Sequence, residues 1–391
     1  MRCGCSAPSY TAKPIPVAPD GILLQVIAKK ETIVTLLLLL LHIALWGTLL
    51  ASLRYLRRQP RPEPTADVWP SLSVLIPARN EAANLRRLLP TLLRQDYPHF
   101  EVIVYDDGSD DATPFVLERY RADRRLRVLR GEGPPPGWVG KVHALYQATR
   151  HARGTLYLFL DADTELLRPD ALRHLVARYR ALPPGSVATA LPSMRGGGQL
   201  IVSLVPLTIL AGLPWPLVRR LPSPLLGALN GQCWLIDATH YHRLEPHRHH
   251  KNEVLEDVRI GRYLKKHGLV PEMLDLRREL AVYMYPDLKA AWQGFRKNAY
   301  LLMGGRPLPF LLLWLGYGLT FVLAPLVWGP LLVSVLGLKL VVDRLFGHPL
   351  WLSLLAPLSH LLAWALGLDS AWSHWRGRVR WKDRPIGGPS G

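Results

Sequence analysis

Apolar and polar positions follow three regimes along the chain. From residue 32 to residue 54 nearly every side chain is apolar, over about the 20 residues that the hydrocarbon core of a bilayer requires. Between residues 71 and 300, short apolar runs alternate with longer amphipathic stretches, the pattern of strands and helices taken in turn. Beyond residue 307 the chain is apolar again over 308–338 and 350–368, and each run is long enough to span a membrane.

The middle regime predicts strands at Leu72–Ile76, Val102–Tyr105, Leu126–Leu129, Leu156–Leu160 and Val187–Leu191. Helices are expected at Glu81–Leu93, about Ala112–Tyr120, Lys141–His151, onward from Pro169, and Val258–Lys266. Such repetition implies an α/β fold, a mostly parallel sheet flanked by helices, with ligands at the carboxyl ends of its strands. Residues 55–70 are rich in Pro and read as a linker. Residues 201–221 are apolar but cut by Pro206, Pro214 and Pro216, which favours an interfacial segment over a span. Residues 1–31 are expected to be a disordered tail, in which Cys3-Gly4-Cys5 is either a lipidation site or a chance pair. Residues 369–391 form a basic tail.

Charge sharpens the picture. Lys and Arg number 48 against 30 Asp and Glu, a formal net charge of +18, so an anionic partner is expected. The excess gathers beside the apolar runs, at Arg54, Arg57 and Arg58 and again from Arg376 to Arg384. That placement favours an anionic membrane surface, and no base-reading motif points to nucleic acid. Because Arg54, Arg57 and Arg58 outweigh Lys29 and Lys30, the positive-inside rule puts the central domain on the cytoplasmic face of a plasma or inner membrane, as a multi-pass protein. A cleaved signal peptide would start nearer the terminus and end in small residues. Three cysteines supply no disulfide framework.

Candidate chemistry sits at strand ends and helix starts. Leu156–Leu160 runs into Asp161-Ala162-Asp163, and residues i and i+2 at a strand end face one side. Two such carboxylates can share one hard divalent cation, Mg²⁺ or Mn²⁺, although D-x-D is also a common chance pattern. Glu81, closing Pro77-Ala-Arg-Asn-Glu81, either complements a helix dipole or contacts a nucleotide. Asp107, in Asp106-Asp107-Gly108-Ser109, either belongs to a tight turn or accepts from a ribose or base. Lys141 follows a Pro/Gly-rich loop containing Trp138 and is either a surface lysine or the holder of a diphosphate at a helix N-terminus. Asp257, after Glu256, is either a helix cap or a general base. Gln293 and Arg296 either close over a diphosphate or, with Lys297, flank the membrane. The tract His240–His250 has metal-ligand letters but no standard zinc spacing.

Taken in order, P-x-x-N-E, D-D-G-S, G-K, D-A-D, E-D and Q-x-x-R resemble the family 2 glycosyltransferases with the GT-A fold. The G-W-V-G-K loop, the apolar segments at both ends and the terminal V-R-W-K-D-R are similar to the hopene-associated and carotenoid (diaponeurosporenoate-type) branch. The resemblance implies a GT-A domain over 71–300 with one N-terminal and about two C-terminal transmembrane helices. It implies that Pro77, Glu81 and Asp107 serve the nucleotide and Lys141, Gln293 and Arg296 the diphosphate. Asp163 would be the main metal ligand, with Asp161 assisting or contacting the ribose, and Asp257 the catalytic base. The implied activity is inverting transfer from a nucleotide-sugar, with a UDP-sugar expected, to a hydroxyl or carboxyl of a lipid acceptor. Polysaccharide-making members carry Trp after Q-x-x-R, where this chain has Lys297. A processive polysaccharide synthase and a non-catalytic membrane scaffold are the alternatives.

Overall fold

All seven residues of Leu72–Ala78 (β1) are buried, so this apolar strand must be covered on both faces. It lies inside a seven-stranded sheet that also contains Phe100–Asp106 (β2), Leu126–Arg130 (β3), Leu156–Leu160 (β4), Ser186–Leu191 (β6), Cys233–Asp237 (β8) and Val270–Asp275 (β9), in the order β3-β2-β1-β4-β8-β6-β9. A three-stranded sheet joins Thr164–Leu166 (β5), Ser193–Arg195 (β7) and Leu280–Tyr283 (β10). The computed structural model describes residues 20–65, 68–381 and 384–385. The chain divides into two compact units between Ile43 and Ala44.

Strands β1 to β4 are parallel, as the alternating pattern predicts. Strand β8 is the exception: it runs antiparallel to β4 and to β6, while β6 and β9 are parallel. The sheet is therefore mostly, not wholly, parallel. The apolar-run pattern did not expose β5, β7, β8, β9 or β10, whose short runs lack the bounding helix periodicity that marks β1 to β4.

The N-terminal helix runs Asp20–Arg58, so it begins well inside the expected tail. Residues 1–19, with Cys3 and Cys5, lie outside the described residues. In the first unit Ile33, Leu36, Leu37 and Leu40 are each more than half exposed, a surface suited to hydrocarbon rather than water. In the second unit, the end of this helix and the segment after Gly198 cover the edge strand β9. Leu49 and Leu56 share one core with Leu207, Leu210, Met273, Leu338 and Val342. The Gln59 side chain donates to the Met273 carbonyl, and Arg178 donates to that of Asp275. Tyr55 and Arg219 both donate to the Glu272 carboxylate, and Arg219 also reaches Ser186 Oγ at 2.6 Å. An edge that would otherwise offer unpaired carbonyls is thereby closed.

The proline-cut stretch 201–221 forms three short helices, Gln199–Val202, Leu204–Gly212 and Trp215–Val218. Its Leu204, Leu207, Leu210 and Trp215 are buried in the same core. The run expected over 308–338 divides. Pro307–Gly318 continues through a π-turn at Leu319–Leu323 to Val327, and a second helix covers Gly329–Phe346. Lys339 and Asp343, which read as a break between spans, lie one turn apart inside that second helix. They are fully buried and paired at 2.5 Å, and Ser353 Oγ donates to Asp343 Oδ2 at 2.8 Å. The last long helix, Ala356–Trp375, passes the expected end at residue 368. Among the described residues, the helices long and apolar enough to cross a membrane are Ile33–Arg58 and Pro307–Val327. That leaves one C-terminal candidate span in place of about two, because the paired charges and a proline-led break interrupt the rest.

Candidate active site

β1 ends in Pro77-Ala78, and the loop that follows is fastened to the end of β2. Pro77 is buried and stands in register with Tyr105. Asn80 adopts a left-handed φ of 52°, its N–H donates to Ser109 Oγ at 2.9 Å, and its side-chain oxygen accepts from the Asp110 N–H at 3.0 Å. The Arg79 guanidinium donates to the carbonyls of Asp107 and Gly108 at 2.8 and 2.9 Å. The P-x-x-N-E and D-D-G-S segments are thus one hydrogen-bonded unit. Within it Asp106 closes the turn, accepting from the Ser109 N–H at 3.0 Å and from its hydroxyl at 2.5 Å. Asp107 beside it is also buried. Glu81 precedes the helix Ala82–Leu93 and accepts from Asn84 Nδ2 at 2.6 Å.

Lys141 enters from the start of the helix Gly140–His151. Its Nζ lies 2.9 Å from Asp161 Oδ2, 3.0 Å from Glu256 Oε1 and 3.5 Å from the Gly231 carbonyl. Burial alone would lower its pKa, but the charges of Asp161, Glu256 and Asp257 outweigh burial and hold the ammonium well above its ordinary value. Burial raises the Asp161 carboxyl; Lys141 opposes that shift, while Glu256 and Glu81 add to it. The surface-lysine alternative is excluded by this placement.

Asp257 opens the helix Glu256–Lys266. Its Oδ2 accepts from the Gly231 N–H at 3.0 Å and its Oδ1 from the Val258 N–H at 2.8 Å. Burial, then the adjacent Glu256 charge, push it up to about 6 against the pull of Lys141 and the two N–H donors. A carboxylate so raised titrates near neutral pH, where a general base is most effective.

Asp163 faces the smaller sheet. Its carbonyl accepts from the Tyr283 N–H at 2.8 Å. The Tyr285 phenol is raised first by burial and then by the Asp163 charge. The Tyr285 ring packs on Gly294, where a Cβ would stand 2.1 Å from the hydroxyl oxygen. That contact packs the helix Leu288–Arg296 against Tyr285. On this helix Gln293 is exposed and Arg296 is half-buried. Trp292 Nε1 donates to Asp369 Oδ2 at 2.7 Å, and Ser370 Oγ donates to the Arg296 carbonyl at 2.5 Å.

Asp161 and Asp163 offer hard oxygens alone. Among the described residues no group of three or more His, Cys, Asp or Glu is arranged to hold a metal ion. Two carboxylates without a third protein ligand suit a Mg²⁺ or Mn²⁺ that takes its remaining ligands from phosphate oxygens and water. The histidine tract has another role. His247 is fully buried, its Nδ1 lies 2.8 Å from the Tyr241 hydroxyl, and burial drives it down to about 3. It is a neutral packing residue. Trp138 is half-buried, 5.2 Å from the Tyr146 ring, and borders a cleft of about 490 Å³ with Glu245, Arg248, His249 and Lys251.

The structure gathers Lys141, Asp161, Glu256 and Asp257 into one cluster, and it places Asp163 beside Tyr285. The sequence reading missed Glu256 as a partner of Lys141 and missed Tyr285 and Gly231 altogether. Adjacency to Asp257 was the one signal available for Glu256.

Residues 73–209 match the glycosyl transferase family 2 model. The 4,4'-diaponeurosporenoate glycosyltransferases of Staphylococcus aureus strains bovine RF122 / ET3-1 and MRSA252 are 40% and 39% identical to this chain over 110 residues. Each match spans 28% of this chain and 28% of the relative's length. A mannosyltransferase from Pyrobaculum calidifontis, solved in complex with GDP-Man and Mn²⁺, superposes with a TM-score of 0.54 at 20% identity. It covers 86% of this chain and 99% of its own. That likeness shows the expected GT-A fold.

Proposed function

We propose that this chain, which carries a glycosyl transferase family 2 domain at residues 73–209, is a membrane-bound inverting glycosyltransferase. It moves a sugar from a nucleotide-diphosphate donor, a UDP-sugar, to a hydroxyl or carboxyl of a lipid. The observation that carries this reading is the buried cluster at the strand ends. There Lys141 bridges Asp161 and Glu256, beside an Asp257 raised to about 6.

In the reaction, the acceptor oxygen forms a bond to the anomeric carbon while the bond from that carbon to the diphosphate oxygen breaks. Attack from the face opposite the leaving group inverts the centre. The acceptor proton passes to Asp257, which the N–H groups of Gly231 and Val258 hold in place. Lys141 stabilises negative charge that grows on the departing diphosphate. A divalent cation held by Asp161 and Asp163 would neutralise part of the same charge. Pro77, Glu81 and Asp107 border the nucleotide, and Gln293 and Arg296, on the helix that packs against Tyr285, reach for the diphosphate.

The basic flank Arg54, Arg57 and Arg58 supports the cytoplasmic face of a plasma or inner membrane, and two further features support a membrane lipid as acceptor. Among the described residues two helices are long and apolar enough to cross a membrane, and the relatives are named as diaponeurosporenoate glycosyltransferases. Lys297 in place of Trp after Q-x-x-R disfavours a processive synthase. The test is incubation of membranes containing the protein with radiolabelled UDP-sugars and Mn²⁺. Label in the organic phase supports the proposal. Label in an insoluble polymer supports the synthase, and none in any product supports a scaffold.

A further inference from the structure

We propose that Glu256 is a positioning residue that acts through Lys141, fixing the helix that carries Asp257 against the strand end that carries Asp161. This role rests on the transferase reading above. Glu256 lies in the first turn of its helix, where an acid commonly stays in solvent and complements the dipole. Here it is buried instead. Among the described residues, its polar contact is the Lys141 ammonium at 3.0 Å. The same Nζ lies 2.9 Å from Asp161 Oδ2.

The result is a carboxylate–ammonium–carboxylate bridge with its two ends on different elements. Asp161 follows β4 on the donor side, and Glu256 begins the helix whose second residue is Asp257 on the acceptor side. The Gly231 loop joins them, offering its carbonyl to Lys141 at 3.5 Å and its N–H to Asp257 at 3.0 Å. Cutting the bridge at Glu256 leaves both hydrogen bonds of Asp257 in place but frees its helix start from the donor side. A misplacement on the order of 1 Å between base and donor costs about 100-fold in rate. The Lys141 ammonium stays, still held by Asp161 at 2.9 Å, so the loss falls on kcat.

The experiment is a double-mutant cycle in the full chain in membranes, with transfer rates measured over donor concentration. Glu256→Gln is expected to lower kcat about 10- to 100-fold with the donor KM within about twofold of wild type. In a Lys141→Met background the same change is expected to cost less than about twofold further, since its intermediary is already gone. Losses that multiply in the double variant, or a loss confined to KM, would overturn the role. Melting temperatures control for folding, and the near-isosteric Glu256→Met enters the same cycle should Glu256→Gln not fold. A wild-type protein that transfers no sugar overturns the transferase reading and this role with it. Active wild type with multiplying losses overturns the role alone.

Discussion

The Gly231 N–H donates to Asp257 Oδ2 at 3.0 Å, and a Cβ on Gly231 would stand 3.0 Å from that same oxygen. Position 231 therefore supplies both a donor and room. Gly231→Ala crowds the carboxylate while keeping the N–H, and we expect it to lower kcat about tenfold by turning Asp257 off line. Steady-state transfer rates check this, with donor KM near wild type.

The raised Asp257 sets a pH dependence. Its charged form is the base, and burial with the Glu256 charge pushes its pKa up to about 6. Activity is therefore held by the deprotonated state and lost as pH falls. In kcat/KM, which follows the free enzyme, the rate is expected to level off above about pH 7 and to fall roughly tenfold per pH unit below about pH 6. The groups facing Asp257 are Glu256, Lys141 and the N–H donors of Gly231 and Val258. Removing the Glu256 charge in Glu256→Gln should move the limb to lower pH. A limb that stays in place would show that another group titrates.

Packing between Tyr285 and Gly294 gives a second test. A Cβ at position 294 would lie 2.1 Å from the Tyr285 hydroxyl oxygen and 2.3 Å from its ring carbons. Gly294→Ala is expected to destabilise the protein by about 1–3 kcal/mol and to lower transfer, since Tyr285 must leave Asp163. Adding Tyr285→Ala removes the clash but leaves a cavity against Phe295 and the core. The two changes should then cost less together than the sum of each alone, while transfer stays low.

How far the sequence revealed these relations depended on their range. Strands β1 to β4 were legible because each is an apolar run followed by a charged or Gly-rich turn, and their ends located Glu81, Asp107 and Asp161. The Lys141–Glu256 pair was not legible, since it joins residues far apart in the chain, each at the start of its own helix. Strand β8 was hidden because Cys233–Asp237 follows closely on a proline-cut apolar stretch and shows no period of its own. Lys339 and Asp343 misled for the opposite reason. As single charges they read as a loop between two spans, but at i and i+4 they pair at 2.5 Å inside one helix, Gly329–Phe346.

The covered edge strand makes a prediction about stability. Glu272 is buried and accepts from both Tyr55 and Arg219. Glu272→Ala leaves both donors without this acceptor, at a cost of about 1.5–3 kcal/mol. Thermal unfolding in detergent should show a melting temperature several degrees lower, whereas Glu272→Gln should recover part of the loss.

Removal of divalent cations is expected to stop transfer, and Mn²⁺ or Mg²⁺ to restore it, because the carboxylates of Asp161 and Asp163 offer hard oxygens. Asp163→Asn should lower transfer at least about 100-fold at any cation concentration that saturates the wild type. Wild-type rates in excess chelator would remove the cation from the proposal.

The most direct measurement compares wild type with Asp257→Asn for label carried from a radiolabelled UDP-sugar into the solvent-extractable lipid, under conditions where both bind UDP equally. The predicted result is transfer by the wild type and a loss of about 10²–10⁴-fold in the variant, with UDP binding and melting temperature unchanged. Equal transfer by the two proteins would contradict the assignment of Asp257 as the base, and no lipid label from either would contradict lipid glycosylation itself.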